Sequence, residues 1–163
     1  MLIGTYEHNL DGKNRVFIPA KFREELGESF YYTFYGSEYP SIQLYSKQGF
    51  KDALDEELEK AKDSGEKRAI KAKLLMAAGE ASYDNQGRVV FNPMATKKAG
   101  IEKQCVFVGF FDYVEVMSPE TYEKYLGAIT LDSTLDEQAS ADEKKVYREY
   151  KASGKLLGLD DKE

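Results

Sequence analysis

Two stretches of the chain set an aspartate four residues ahead of an arginine: Asp11-Gly12-Lys13-Asn14-Arg15 and Asp84-Asn85-Gln86-Gly87-Arg88. The chemistry open to such a unit is anion recognition. An aspartate at the start of a turn accepts hydrogen bonds from backbone N–H groups further on and fixes the turn's shape. Asn14 and Gly87 hold the same place in the two stretches, and these residue types tolerate a left-handed backbone best. Arg15 or Arg88, following on a stiff β-loop, can present its fork to phosphate, or to guanine O6 and N7 in a major groove. Two-stranded ribbons fit that groove. The same pattern also describes a plain turn whose arginine pairs with its own aspartate.

The two stretches are copies. The first runs from Asp11 to Gly27 and the second from Asp84 to Gly100, at a constant offset of 73 residues, which marks a duplicated unit. Charge follows the repeat. Lys13, Arg15, Lys21 and Arg23 lie in a stretch free of acids, and Arg88, Lys97 and Lys98 in another. Residues 130–163 carry nine acids and six bases, and residues 51–68 seven and five. The overall charge of −6 would argue against a nucleic-acid partner, but distribution matters more than the sum.

Other chemistry finds little support. His8 is the only histidine, so one chain assembles neither a catalytic triad nor a histidine metal cluster. It reads as a solvent-facing or hydrogen-bonded strand residue, close enough to the first turn for a phosphate contact. Cys105, the only cysteine, sits in the apolar run Gln104-Cys105-Val106-Phe107-Val108 and reads as a buried strand thiol. Asp55, Glu56, Glu57 and Glu59 read as a solvated helix face. No phosphate-binding or dinucleotide-binding glycine loop is present, and the 12 tyrosines read as core and rim. No cofactor is implied, and an enzyme is not expected.

The elements that must position the turns follow from periodicity. Met1 to Glu7 reads as a strand, and Arg15 to Ile18 resumes one after the turn, which suggests a hairpin. Pro19 suits a first helical residue, with a short helix over Lys21 to Leu26 stopped by Gly27. Ser29 to Tyr35 is aromatic on both faces, as a doubly covered strand would be, and Gly36 breaks it. In Ser41 to Tyr45, Ile42 and Leu44 share one face, the alternation of a half-buried strand.

The second copy repeats this order through Glu80–Tyr83, Arg88–Asn92, Cys105–Val108 and Val114–Val116, the last at an offset of 72. Ser46 and Ser118 each precede a helix, with Pro119 and Glu120 strengthening the second start. Between the copies, Phe50, Ala53, Leu54, Leu58 and Ala61 recur at helical spacing. Asp63-Ser64-Gly65 ends that helix, and Ile70, Leu74 and Ala77 suggest another. Residues 131–139 read as a linker, and Ser140 with Glu143 forms a capping box for a last helix striped by Val146, Tyr150 and Leu157.

At 163 residues with 42% hydrophobic content, the chain can bury one good core or two small ones. No run reaches the ~18 apolar residues of a membrane helix, and no signal-peptide pattern opens it. One cysteine excludes an intramolecular disulfide framework, which suits a cytoplasmic setting.

The run Gly4-Thr5-Tyr6-Glu7-His8-Asn9-Leu10-Asp11-Gly12-Lys13-Asn14-Arg15, followed by Ile18-Pro19-Ala20-Lys21-Phe22-Arg23-Glu24, resembles the opening of the MraZ family of bacterial transcriptional regulators. Asp84 to Arg88, Gly100 and the Val-Phe-Val-Gly strand ending at Gly109 are similar to its second half. The resemblance covers about residues 1–129. It implies an α+β, mainly β fold of two AbrB-like swapped-hairpin units forming a pseudo-symmetric β-barrel. These would be residues 1–49 and 80–129, with a helical insert at 50–79 and an acidic tail at 130–163.

It further implies an oligomeric ring that binds short G-rich direct repeats in double-stranded DNA. Such a ring would act mostly as a repressor of the division and cell-wall gene cluster, nucleoid-associated and without membrane contact. Arg15 and Arg88 would contact DNA, with Lys13, Lys21 and Arg23 on phosphates and Asp11, Asn14, Asp84 and Gly87 shaping the turns. Asn14 stands where the family usually has glycine, Asn92 replaces a common proline, and Met94-Ala95-Thr96 replaces the Lys-Phe-Arg of the first unit. A rival reading is an antitoxin-like protein-binding module of the same fold.

Overall fold

A computed structural model describes residues 1–35 and 39–130. The expected break at Gly36, the linker and the capped helix from Ser140 lie outside the described residues. Met1–Ser118 forms one compact unit, and Pro119 opens a second, of which helix α5 (Pro119–Thr130) is described, with Pro119 in its first turn and Glu120 as an acidic first-turn residue.

The first unit is α+β with antiparallel strands. In chain order it runs β1 (Thr5–Asn9), β2 (Arg15–Phe17), α1 (Ala20–Leu26), β3 (Ser29–Thr33), β4 (Ile42–Tyr45), α2 (Lys47–Glu59), α3 (Ser64–Met76), β5 (Ala78–Ser82), β6 (Arg88–Val90), α4 (Pro93–Lys98), β7 (Gln104–Gly109) and β8 (Val114–Met117). The strands form a six-stranded sheet in the order β1-β7-β8-β4-β3-β5 and a separate two-stranded ribbon, β2-β6.

The duplication is written into the pairings. Shifting β1 and β2 by 73 residues lands on β5 and β6, and shifting β4 by 72 lands on β8. The sheet order therefore reads the same from both ends. β1 pairs with β7 of the second copy, and β5 pairs with β3 of the first. The centre falls at Gln43 opposite Glu115 in the sheet and at Val16 opposite Val89 in the ribbon. Each of these pairs joins equivalent positions of the two copies.

This arrangement corrects the hairpin expectation. The turn between β1 and β2 forms, but its flanking strands do not ladder with one another; each finds its partner in the other copy. β2 has only three residues and runs into Pro19, which lacks an N–H and cannot extend a ladder. Pairing with its own duplicate sets Val16 and Val89 together on one face, 1% and 2% exposed. Burying one such side chain contributes about 1.5–3 kcal/mol.

One core joins ribbon and sheet. Val16, Ile18, Val89 and Phe91 from the ribbon side cluster with Phe30, Tyr32, Ile42, Leu44, Phe107, Val114 and Val116 from the sheet. Tyr32 Oη accepts the Asn92 N–H at 3.0 Å, tying β3 to the start of α4. Cys105 is buried in β7 as its setting predicts, and burial pushes its thiol up to about 12.

β4 departs from the half-buried expectation, being buried on both faces over Ile42–Leu44. The reason is α2, which folds back over the outer face and sets Phe50 edge-on against Tyr31 and Tyr45. Ser46 caps α2 by accepting from Gly49 N–H. Asp63 does not end α2; it starts α3, its carboxylate accepting the Glu66 N–H at 2.8 Å. Pro19 likewise stands one place earlier than expected, at the cap position of α1. Among the described residues no helix is long and apolar enough to cross a membrane.

Candidate nucleic-acid interface

Both turns are locked by the same set of bonds. Asp11 Oδ1 accepts the N–H groups of Lys13 and Arg15 at 2.8 and 2.9 Å, and Oδ2 accepts Arg15 Nε–H at 2.7 Å. Asp84 Oδ1 accepts from Gln86 and Arg88 at 2.9 Å each, and Oδ2 from Arg88 Nε–H at 2.8 Å. The backbone closes each loop, Asp11 N–H to Arg15 O and Asp84 N–H to Arg88 O. Asn14 and Gly87 take the left-handed conformation, with φ of 59° and 82°. One backbone geometry therefore serves both copies.

The carboxylates are tuned by these bonds. Asp11 is held down to about 2, chiefly by the Arg15 backbone N–H, with partial desolvation opposing. Asp84 is lowered for the same reason, with the Arg88 N–H first. A carboxylate that accepts two backbone donors stays ionised far into acid.

The arginines stand at the bases of the turns, where the strands begin, and not at their tips. Each is anchored through Nε to its own aspartate, so the arginine–aspartate pairing left open by the sequence is present in both copies. Anchoring consumes one of five guanidinium donors and leaves the terminal amino groups. Arg15 is 32% exposed and Arg88 25%. Arg88 Nη1 also lies 3.6 Å from Asp11 Oδ2, so the two turns adjoin.

The ribbon sets both arginines on one face. With Val16 and Val89 turned inward, Arg15 opposite Val90 and Arg88 opposite Phe17 face away from the core. Phe17 is 36% and Val90 54% exposed. Arg23, half-buried on α1, lays its guanidinium 4.6 Å from the Phe17 ring centre. It also closes on the second turn: a Cβ on Gly87 would lie 1.7 Å from Arg23 Nη1. Lys13 at the first turn's tip and Lys21 on α1 are exposed, with no ion pair among the described residues.

Arg15, Arg88, Asp11, Asp84, Arg23 and Gly87 are thus brought together, Asn14 shapes the first turn beside them, and Lys13 and Lys21 flank the group. Phe17 and Val90 were missed in the sequence, although the inward Val16 and Val89 imply that their neighbours face outward. His8 is less open than expected. It packs edge-on against Phe17 and Phe107, at 5.5 and 5.8 Å, and burial lowers its pKa. Among the described residues no group of three His, Cys, Asp or Glu side chains could hold a metal ion. A departure from the family pattern also finds its cause: Asn92 caps α4 by accepting the Met94 N–H at 2.8 Å, a bond proline could not make.

Comparison with known proteins matches the chain twice to the family described as "MraZ protein, putative antitoxin-like", over residues 1–73 and 74–144. The chain belongs to the MraZ family. Relatives named transcriptional regulator MraZ include that of Caldanaerobacter subterraneus, 40% identical over 129 residues, and that of Corynebacterium kroppenstedtii, 33% identical over 125. Each alignment covers 77% of this chain and 86% of the relative. The Mycoplasma mobile protein is 38% identical over 123 residues, 76% of this chain and 83% of its own. The two MraZ matches divide the chain between its two Asp-to-Arg turns, one to each.

Proposed function

We propose that the chain is a sequence-specific DNA-binding transcriptional regulator, a repressor of the division and cell-wall gene cluster. Its MraZ relatives, named transcriptional regulators, support this reading. The observation that carries it is the ribbon β2–β6, on which two identically braced arginines share one outward face. A two-stranded ribbon matches the width of the major groove, where arginine amino groups read guanine O6 and N7.

Arg15 and Arg88 supply base choice, while Lys13, Lys21 and Arg23 neutralise phosphates and set the register. Asp11 and Asp84, with Asn14 and Gly87, hold the turns so that little side-chain freedom is lost on binding. In this proposal residues 1–49 and 80–129 are the two AbrB-like units of a pseudo-symmetric barrel, joined by the insert 50–79. Copies of the chain assemble as a ring on short G-rich direct repeats in double-stranded DNA. Linking several weak sites raises avidity by about 10²–10⁴. The protein would then sit in the cytoplasm, on the nucleoid.

Footprinting on the DNA upstream of the chain's own gene tests the reading. Protection of regularly spaced, G-rich sites is expected. Uniform, unpatterned protection at every concentration would refute sequence recognition.

The description of the family as antitoxin-like favours a second reading as a protein-neutralising module. Deleting residues 130–163 separates the two. DNA binding survives the deletion under the first, and a protein partner is lost under the second.

A further inference from the structure

The helical pair between the repeats divides its charge unevenly. α2 carries five carboxylates and two lysines, and the lysines on and beside it are paired: Lys47 with Glu80, Lys51 with Asp55, and Lys60 with Glu57. α3 carries Lys67, Arg68, Lys71 and Lys73 against Glu66 alone. Residues 51–68, summed as one acidic stretch, conceal this because the window ends inside α3.

α3 contributes no fully buried side chain, and Lys67, Arg68 and Lys71 are exposed. Among the described residues none of the three has a carboxylate partner. Lys67 and Lys71 stand one helical turn apart on one side, with Arg68 beside them. Lys73 turns away, its ammonium 6.0 Å from the Tyr35 ring centre. Three cations without a carboxylate partner on one side of α3 are an unfilled half of an electrostatic contact.

We infer that α3 is a second DNA-contacting surface, separate from the arginine ribbon, which grips phosphate backbone without reading sequence. The inference rests on the DNA-binding reading above. Duplex DNA carries one charge per ~1.7 Å of axis, so three flexible cations find phosphates in any register. No aromatic or amide side chain accompanies them on the stripe to select a base. The five residues of β5 connect α3 to the second turn, a span of about 17 Å. Helix and ribbon therefore meet different stretches of phosphate, and α3 would hold DNA that flanks the site or a second segment of it.

The test is the salt dependence of binding by the full chain, measured by fluorescence anisotropy on upstream DNA and on a random-sequence duplex. The variant is Lys67→Gln/Arg68→Gln/Lys71→Gln, with glutamine keeping the helix. Lys67→Arg/Lys71→Arg, which keeps the charge, is the control. The glutamine variant is expected to lower the slope of log K against log salt by about 2–3 on both DNAs, with the ratio between them unchanged, while the arginine variant keeps the native slope. Native slope and affinity in the glutamine variant, while the wild type binds both DNAs, would overturn this inference alone. Native DNA binding in the glutamine variant, together with loss of the wild type's binding to polyglutamate in a parallel anisotropy titration, would overturn it in favour of an acidic protein partner. A wild-type chain that binds neither DNA would overturn it together with the regulator reading.

Discussion

Arg88 reaches across to the other repeat: its Nη1 lies 3.6 Å from Asp11 Oδ2, the oxygen that also holds Arg15 Nε at 2.7 Å. One carboxylate thus bears on both arginines, whereas Asp84 anchors only its own. Asp11→Ala should therefore disturb both turns and Asp84→Ala one. The check is the line broadening and exchange rate of the Arg15 and Arg88 Nε–H resonances in each variant. Equal, strictly local effects of the two substitutions would show that the turns are independent.

Gly87 is needed twice over, for its φ of 82° and for the close approach of Arg23. Gly87→Ala should cost about 1–3 kcal/mol from left-handed strain and lift Arg23 off Phe17. Gly12, in the first turn, has open space where a Cβ would stand. Gly12→Ala should stay within about 0.5 kcal/mol of the parent. Urea unfolding of the two variants decides; matching midpoints would contradict the packing described.

The acid behaviour of Asp11 separates backbone from side-chain causes. Its folded pKa of about 2 lies below the ordinary 3.8. The group therefore adds stability above about pH 4, lost as pH falls toward 2. Because the Arg15 backbone N–H is the largest cause, Arg15→Ala should leave most of the depression in place. The carboxyl carbon shift of Asp11, followed by NMR against pH, reports it. A midpoint near 3.8 in that variant would assign the effect to the guanidinium instead.

Cys105 is 1% exposed and its thiol is pushed up to about 12 by burial. It should resist alkylation at pH 8 while the chain is folded and react fully in denaturant, since the thiolate is the nucleophile. Rapid labelling without denaturant, followed by mass spectrometry, would place it at the surface.

Local chemistry was legible in the sequence, and long-range pairing was not. The Asp11 and Asp84 turns, the left-handed Asn14 and Gly87 and the stop at Gly27 all rest on bonds within a few residues, and the burial of Cys105 follows from the apolar run around it. The partner of β2 rests on a strand 73 residues away. A period-two pattern records which side is buried, not which strand lies alongside. Ile42 and Leu44 mark one face of β4, while the cover on its other face comes from Phe50, beyond the pattern. The tilt of Arg15 and Arg88 toward their aspartates was open from the start, because a turn ending in arginine serves outward reach and inward pairing alike.

In the proposed function, Arg15 and Arg88 on the β2–β6 ribbon read bases. The most direct measurement is the affinity of Arg15→Ala and Arg88→Ala for upstream DNA and for random-sequence DNA at one fixed salt. Each substitution is expected to lose about 1–3 kcal/mol per site on upstream DNA, with the preference over random DNA largely gone. Unchanged affinity for upstream DNA in both variants, with the preference intact, would contradict it.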